Sequence, residues 1–371
     1  MCFCKGTESS NLSVSATYPP KTVEYLLSSR HLTHETTMQI ALFLLSACLV
    51  PDAVTPTSSV VEAPAPAAAA AAAMHKFTFV NRCEQDIWVG SHGQKGTAAI
   101  NGGGWFMPAR VKGVDPTPMT FEVAVGNSGR LWPRTECTFP GDGQNHCATG
   151  GCVDDTNKFA LKCAQGGVPP VALLEWTLDA HSGNGPIDYY DGSLVDGWAV
   201  PLQMIAVANS YNPVADPGMD QDRWCAPGGC AVSPTCPAEY WDGKNCWSPC
   251  AAATRPTNPV DAADALSLCC SCSLSDGNNT CPEAECAGGY GCTPNHDPMY
   301  PADMVCDPTG EKNGGRAWNA TAQSYIANVR AACPSIYAWQ FDDAKGTFNC
   351  RKTDGLVDYV IEFCPGVPAV E

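Results

Sequence analysis

Positive charge is what this 371-residue chain has least of. Lysine and arginine number 21 against 38 aspartates and glutamates, a formal net charge of −17. Binding nucleic acid takes a basic face that neutralises phosphates, so no nucleic-acid partner is expected. A neutral polysaccharide or a cationic surface suits an acidic protein better. Long apolar runs are scarce too: residues 40–50, IALFLLSACLV, make a run of only eleven, whereas a bilayer span takes about 20. There is no glycine-rich phosphate loop and no His-x-x-x-His, and histidine occurs seven times. No cofactor and no metal are therefore expected.

Cysteine, by contrast, is abundant. Of 23 cysteines, 20 lie beyond residue 73, a density that cytosolic proteins do not use. An even number permits ten disulfides. Zinc is the competing use for a cluster such as Cys269-Cys270-x-Cys272, but histidines are few and no C-x-x-C knuckle repeats, so structural disulfides are expected. The first 73 residues read differently. The eleven-residue run has the length of a secretory h-region, which places a signal peptide at 38–53 starting from Met38. Residues 1–37 are then a gene-model extension or an unusually long n-region. Residues 54–73, with APAP and seven alanines, hold too few large apolar side chains to build a core and read as a flexible linker. A secreted, extracellular domain is expected at 74–371. Its net charge is −15 once the three basic and five acidic residues before it are removed.

Short apolar alternations dominate the first half of that domain, at 76–80, 86–89, 120–125, 131–132 and 173–178, with Gly, Pro, Asn or Asp between them. Without helical periodicity between strands, this spacing predicts an all-β fold, a sandwich or barrel of antiparallel strands. From about 218 to 340, cysteine, glycine and proline crowd together and predict a disulfide-rich lobe of loops and short helices, one at 261–268 and another at 320–332. Strand texture returns at 356–363, LVDYVIEF.

Acid is concentrated at 167–204. Glu175 is the single carboxylate within the apolar run VALLEWTL. Residues 181–196 are rich in Gly, Asp, Asn and Ser, so they are expected to be a connecting loop that returns Asp188, Asp191 and Asp196 toward Glu175. Paired carboxylates suit glycoside hydrolysis, in which one stays protonated as general acid and the other ionised. The plainer reading makes the aspartates turn formers and Glu175 a solvent-facing strand residue.

Several segments carry a resemblance that spacing alone does not supply. They are, in order, FTFVNRCEQDIWVG (77–90), GRLWPRTECTF (129–139), GVPPVALLEWTL (167–178), DYYDGSLVDGWAVPLQM (188–204), the pair Cys269-Cys270, CPSIYAWQFDD (333–343) and YVIEFCP (359–365). Over nearly the whole mature domain the chain resembles the thaumatin-like proteins, the pathogenesis-related family of thaumatin, osmotin and zeamatin. The resemblance implies an antiparallel β-sandwich with a disulfide-rich lobe. It also implies the bridges Cys83–Cys364, Cys137–Cys147, Cys152–Cys163, Cys225–Cys350, Cys230–Cys333, Cys236–Cys246 and Cys250–Cys269. Cys270 would pair within the insertion that holds Cys272, Cys281, Cys286, Cys292 and Cys306, with two further local bridges. The chain departs from the family pattern at Asn145, Gly151 and Val168, and in that insertion.

The resemblance further implies an acidic cleft built from one Arg, one Glu and three Asp. Those positions fall here on Arg130, Glu175, Asp191, Asp196 and Asp342, with Asp343 an equally acidic neighbour and Asp188 and Tyr190 beside them. Three activities are consistent with it. A weak endo-β-1,3-glucanase would use Glu175 as acid and Asp191 or Asp196 as base or nucleophile. A binding module would use the carboxylates to accept hydrogen bonds from sugar hydroxyls, with Tyr189, Tyr190 and Trp198 stacking on sugar faces. An antifungal defence protein would act on membranes or fungal surface proteins. The expected partner is β-1,3-glucan or another wall polysaccharide, and the protein is expected to be monomeric. Asn278 and Asn319 head N-glycosylation acceptors.

Overall fold

The computed structural model describes residues 73–94, 96–139, 146–254, 268–269, 318–340 and 342–366. In chain order the strands are β1 (Met74–Asn81), β2 (Ile87–Gly93), β3 (Gly104–Met107), β4 (Met119–Ala124), β5 (Ser128–Arg134), β6 (Leu173–Ala180), β7 (Ile187–Ser193), β8 (Leu202–Ala206) and β9 (Gly228–Gly229), followed by β10 (Phe348–Cys350) and β11 (Tyr359–Phe363). Three helices are described: α1 (Pro249–Thr254), α2 (Ala320–Ala332) and α3 (Asp343–Gly346). No helix among the described residues is long and apolar enough to cross a membrane. Residues 261–267 of the helix expected at 261–268, and Asn278, Cys270, Cys272, Cys281, Cys286, Cys292 and Cys306, lie outside the described residues.

Two sheets make the sandwich. One has the order β4-β1-β11-β8-β9 and the other β10-β7-β6-β5-β2-β3. Their facing side chains alternate along each strand, as a period of two requires. Phe77, Phe79, Tyr359 and Phe363 from the first sheet meet Leu131, Leu174, Trp176 and Tyr190 from the second in one core. Edge contacts fix the stacking, with ring centroids 5.4 Å apart for both Phe77–Trp176 and Tyr190–Tyr359. The strand pairs are antiparallel except β1 with β11, which run parallel with Phe77 opposite Tyr359. Parallel strands deliver the residues that follow them to the same edge, and there Cys83 is bridged to Cys364 at a Cα separation of 5.2 Å.

The structure joins all seven expected pairs: Cys83–Cys364, Cys137–Cys147, Cys152–Cys163, Cys225–Cys350, Cys230–Cys333, Cys236–Cys246 and Cys250–Cys269. The helix expected at 320–332 is α2, capped by Asn319, whose side-chain oxygen accepts from the Ala322 N–H at 2.9 Å. That cap uses the oxygen and leaves the amide nitrogen, the atom a glycan would join, outside the bond.

Two expectations about elements are corrected. Residues 181–196 are not one connecting loop: 187–193 form β7, which pairs with β6 along its length. Aspartate and glycine suggested a turn, but this strand is buried on both faces and its acids face a polar cluster, so composition misreports it. The closing strand starts at Tyr359 rather than 356, and β3, β8, β9 and β10 are further strands.

Candidate functional site

Register builds the site. Arg130 on β5 lies directly opposite Glu175 on β6, and Glu175 directly opposite Asp191 on β7. Leu174 and Trp176 turn into the core, so Glu175 between them points to the other face of the sheet, as do its cross-strand partners. Side chains paired this way across antiparallel strands have Cβ atoms about 4.5–5.5 Å apart. Asp196 follows β7 within a turn closed by the Gly197 N–H donating to the Leu194 carbonyl at 3.0 Å. His92 on β2 faces Arg130 and extends the row by one strand.

The row is buried. Relative exposure is 8 % for Arg130, 4 % for Glu175, 3 % for Asp191 and 6 % for Asp196. The Arg130 guanidinium reaches Glu175 only at 4.0 Å. Arg130 Nε, Glu175 Oε1 and Asp191 Oδ1 have no hydrogen-bond partner among the described residues. Burial sets the proton affinities. It pushes Glu175 up to about 7, with Arg130 pulling the other way and Asp196 adding to the rise. It raises Asp196 to about 6 against the pull of Arg130. Asp191 is raised further, by burial and then by the charges of Glu175 and Asp343. One arginine cannot neutralise this group, so all three carboxyls hold their protons more tightly than an exposed acid does, Asp196 the least of them.

Asp342 and Asp343 separate by function. Asp342 accepts from the Ala338 N–H at 3.0 Å and is ion-paired with Arg330. Asp343 accepts from the Tyr337 hydroxyl at 2.8 Å, and both Asp343 and Asp191 act on that hydroxyl electrostatically. Asp343 is therefore the acid that reaches the row, and Asp342 is spent on a structural ion pair. Tyr337 is a member that residue-type reasoning missed. It sits in CPSIYAWQFDD, but only the approach of α3 to β7 gives it a role.

Asp188 and Tyr190 do not join the row. Their strand alternation sends them to the core face, opposite to Asp191. Tyr190 is buried against Phe348 and Tyr359 and donates to the Ala226 carbonyl at 2.6 Å. Asp188 accepts from the Tyr359 hydroxyl at 2.7 Å and from the Asp179 N–H at 2.9 Å. It lies 3.9 Å from His75, which is bonded to Asp179 at 2.8 Å and to the Val357 carbonyl at 2.7 Å. Among the described residues, His75, Asp179 and Asp188 are the one His/Asp group close enough to hold a cation. Their ligating atoms are already engaged with protein partners, which favours a proton as the shared charge.

The fold and this row define a class: a disulfide-bridged two-sheet β-sandwich protein with an arginine beside clustered carboxylates on one face. The chain belongs to the thaumatin family, whose model matches residues 81–288. Among its relatives is a "Pathogenesis-related thaumatin-like protein 3.5" of Cryptomeria japonica, 30% identical over 297 residues that cover 78% of this chain and 89% of the relative. "Thaumatin-like protein 1" of Arabidopsis thaliana is 30% identical over 300 residues, covering 78% and 86%. A β-1,3-glucanase domain (GH64) from Clostridium beijerinckii covers 78% of this chain and 98% of its own at a TM-score of 0.37 and 11% identity, too slight a likeness to bear on function.

Proposed function

We propose that the protein is a secreted defence protein that binds β-1,3-glucan of cell walls and hydrolyses it weakly, with Glu175 as general acid. The observation that carries this reading is the register that sets Glu175 between Arg130 and Asp191 in a buried row, where burial raises Glu175 to about 7 and Asp196 less, to about 6. Glycoside hydrolysis needs a division of labour between two carboxyl groups. Glu175 gives its proton to the glycosidic oxygen as the bond to the anomeric carbon breaks. Asp196 either takes a proton from the attacking water or attacks that carbon itself, after which water releases the sugar. Asp191 is the weaker candidate for the second role, because its protonated form is favoured. Seven disulfides among the described residues support an oxidising, extracellular location.

Recognition without turnover is the second reading, and burial favours it. At 3–6 % exposure the three carboxylates do not meet a polymer unless the surrounding segments part, which keeps any hydrolysis slow. Reducing-sugar release from laminarin by the mature protein separates the two, with retention on insoluble glucan measured in parallel. Hydrolysis is expected to fall by about 100-fold or more in Glu175→Gln. Retention with no sugar release from either protein would leave the site as one of recognition only.

A further inference from the structure

We infer that the pocket beside Trp241 is a second carbohydrate subsite, one that seats a neutral sugar ring on the indole face. The pocket is a cavity of about 420 Å³ lined by Trp198, Ser233, Pro234, Cys236, Trp241 and Lys244. That volume falls within the range of small-ligand sites. Trp241 is 46 % exposed, an unusual state for the largest apolar side chain, and an exposed tryptophan is a common contributor of binding energy at recognition surfaces.

The loop that presents Trp241 is held before any ligand arrives. Trp241 and Trp198 each bridge to Cys246, one from either side, and Cys246 is tied to Cys236 by a disulfide. The Asp242 carboxylate closes the tip. Its Oδ1 accepts from the N–H groups of Lys244 and Asn245 at 2.9 and 2.7 Å, and its Oδ2 accepts from the Trp247 indole at 2.9 Å. Gly243, at φ 97°, makes the turn that these bonds require. A backbone held in this way leaves only the rotation of the Trp241 side chain to be lost on binding, which favours affinity.

Charge chooses the ligand class. Lys244 is the cation lining the pocket, and it is ion-paired with Glu136. The pair carries no net charge to select an ion, yet the Lys244 ammonium offers hydroxyl groups a donor, and the exposed Ser233 hydroxyl adds a donor and an acceptor. A polyhydroxylated ring with an apolar face meets these conditions; a phosphate or a polyanion does not, given the acidity of the whole chain. The choice of a β-1,3-linked glucan as occupant rests on the reading under Proposed function. The place of the subsite rests on the pocket alone.

Calorimetric titration of the mature protein with laminarihexaose, for wild type, Trp241→Ala, Trp241→Phe and Glu175→Gln, tests the inference. Trp241 is exposed, so an unchanged thermal midpoint and circular dichroism spectrum are expected for its variants. Affinity is expected to fall about tenfold or more in Trp241→Ala and to be largely kept in Trp241→Phe. Loss confined to Glu175→Gln overturns the subsite and leaves the buried row as the glucan site. Loss in both Trp241→Ala and Glu175→Gln means one continuous site and overturns a separate one. If the wild type ignores laminarihexaose but binds cello-, xylo- or chito-oligosaccharide in a Trp241-dependent way, the subsite stands and the glucan reading falls. Binding to none of them overturns the subsite.

Discussion

His75 has both ring nitrogens committed to acceptors. The Val357 carbonyl can only accept, so Nδ1 carries a proton, and the Asp179 carboxylate receives one from Nε2 while also accepting from the Gly126 N–H at 3.1 Å. The geometry thus specifies an imidazolium between Asp179 and Asp188. Burial alone would lower its proton affinity, but the Asp179 bond and the Asp188 charge outweigh burial and raise it above 6.5. For Asp179 burial is likewise outweighed, by the bond and charge of His75, and its affinity falls. Tyr359 and Tyr190 are the other titratable groups facing Asp188. Because the folded value of His75 is raised, its contribution is complete below pH 6.5, the unfolded value, and is lost as pH rises above it through the folded one. The contribution of Asp179 is lost at the opposite end, as pH falls through its lowered value. His75→Gln leaves the ionised, buried Asp179 without its cation, at a cost of about 3 kcal/mol; Asp188, which burial raises to about 6, is already largely protonated at pH 5.5. Urea unfolding should show that loss in full at pH 5.5, and a narrower gap between mutant and wild type at pH 8.5. At this scale Glu175 was legible as a lone acid in an apolar run, whereas the clasp was not, because His75 is separated by 104 residues from Asp179.

One element owes its position to a buried arginine. Arg134 ends β5 with no exposed surface. It donates to the carbonyls of Trp88 at 3.0 Å, Val89 at 2.9 Å, Ala160 at 2.9 Å and Leu161 at 2.7 Å. Burial draws its affinity for a proton down to about 10, still high enough to keep it charged. The guanidinium thereby ties β2 and β5 to the loop inside the Cys152–Cys163 bridge, which covers this face of the sheet. In Arg134→Met those carbonyls stay buried without a donor, and stability should fall by about 3–5 kcal/mol in guanidinium unfolding. Limited proteolysis is expected to cut first within residues 153–162. The hairpin β6–β7 carries the lesson of this scale for the candidate site. Its second strand looked like a loop, since Asp and Gly are turn residues in most settings. Pairing with Glu175 and Asp191 in register overrode that preference, as tertiary burial often does.

For the whole molecule the closing contact is the parallel pair β1–β11 with its bridge. Cys83 and Cys364 are 281 residues apart, so the bridge restricts the unfolded chain more than any local one, although the other long bridges already shorten the loop it closes. The double variant Cys83→Ser/Cys364→Ser should lose about 3–5 kcal/mol, seen as a lower guanidinium midpoint. Cys137→Ser/Cys147→Ser, whose loop spans ten residues, should lose less. Equal losses from the two would show that the unfolded chain is not what the long bridge constrains.

Several features were determined by the sequence by itself. Cysteine number announced the disulfide framework, alternating apolar residues set an all-β fold, and the matched segments named the family. Such features are local or compositional, so they survive in one dimension. The tertiary structure decided which acids meet. It turned Asp191 toward Glu175 and Asp188 toward His75, though the two are three residues apart, because a strand sends odd and even positions to opposite faces. It chose Asp343 over Asp342, because Arg330 on α2 claims Asp342. It also raised Glu175 and Asp191 by burial, since the cost of losing water depends on what covers a side chain and not on its neighbours in the chain.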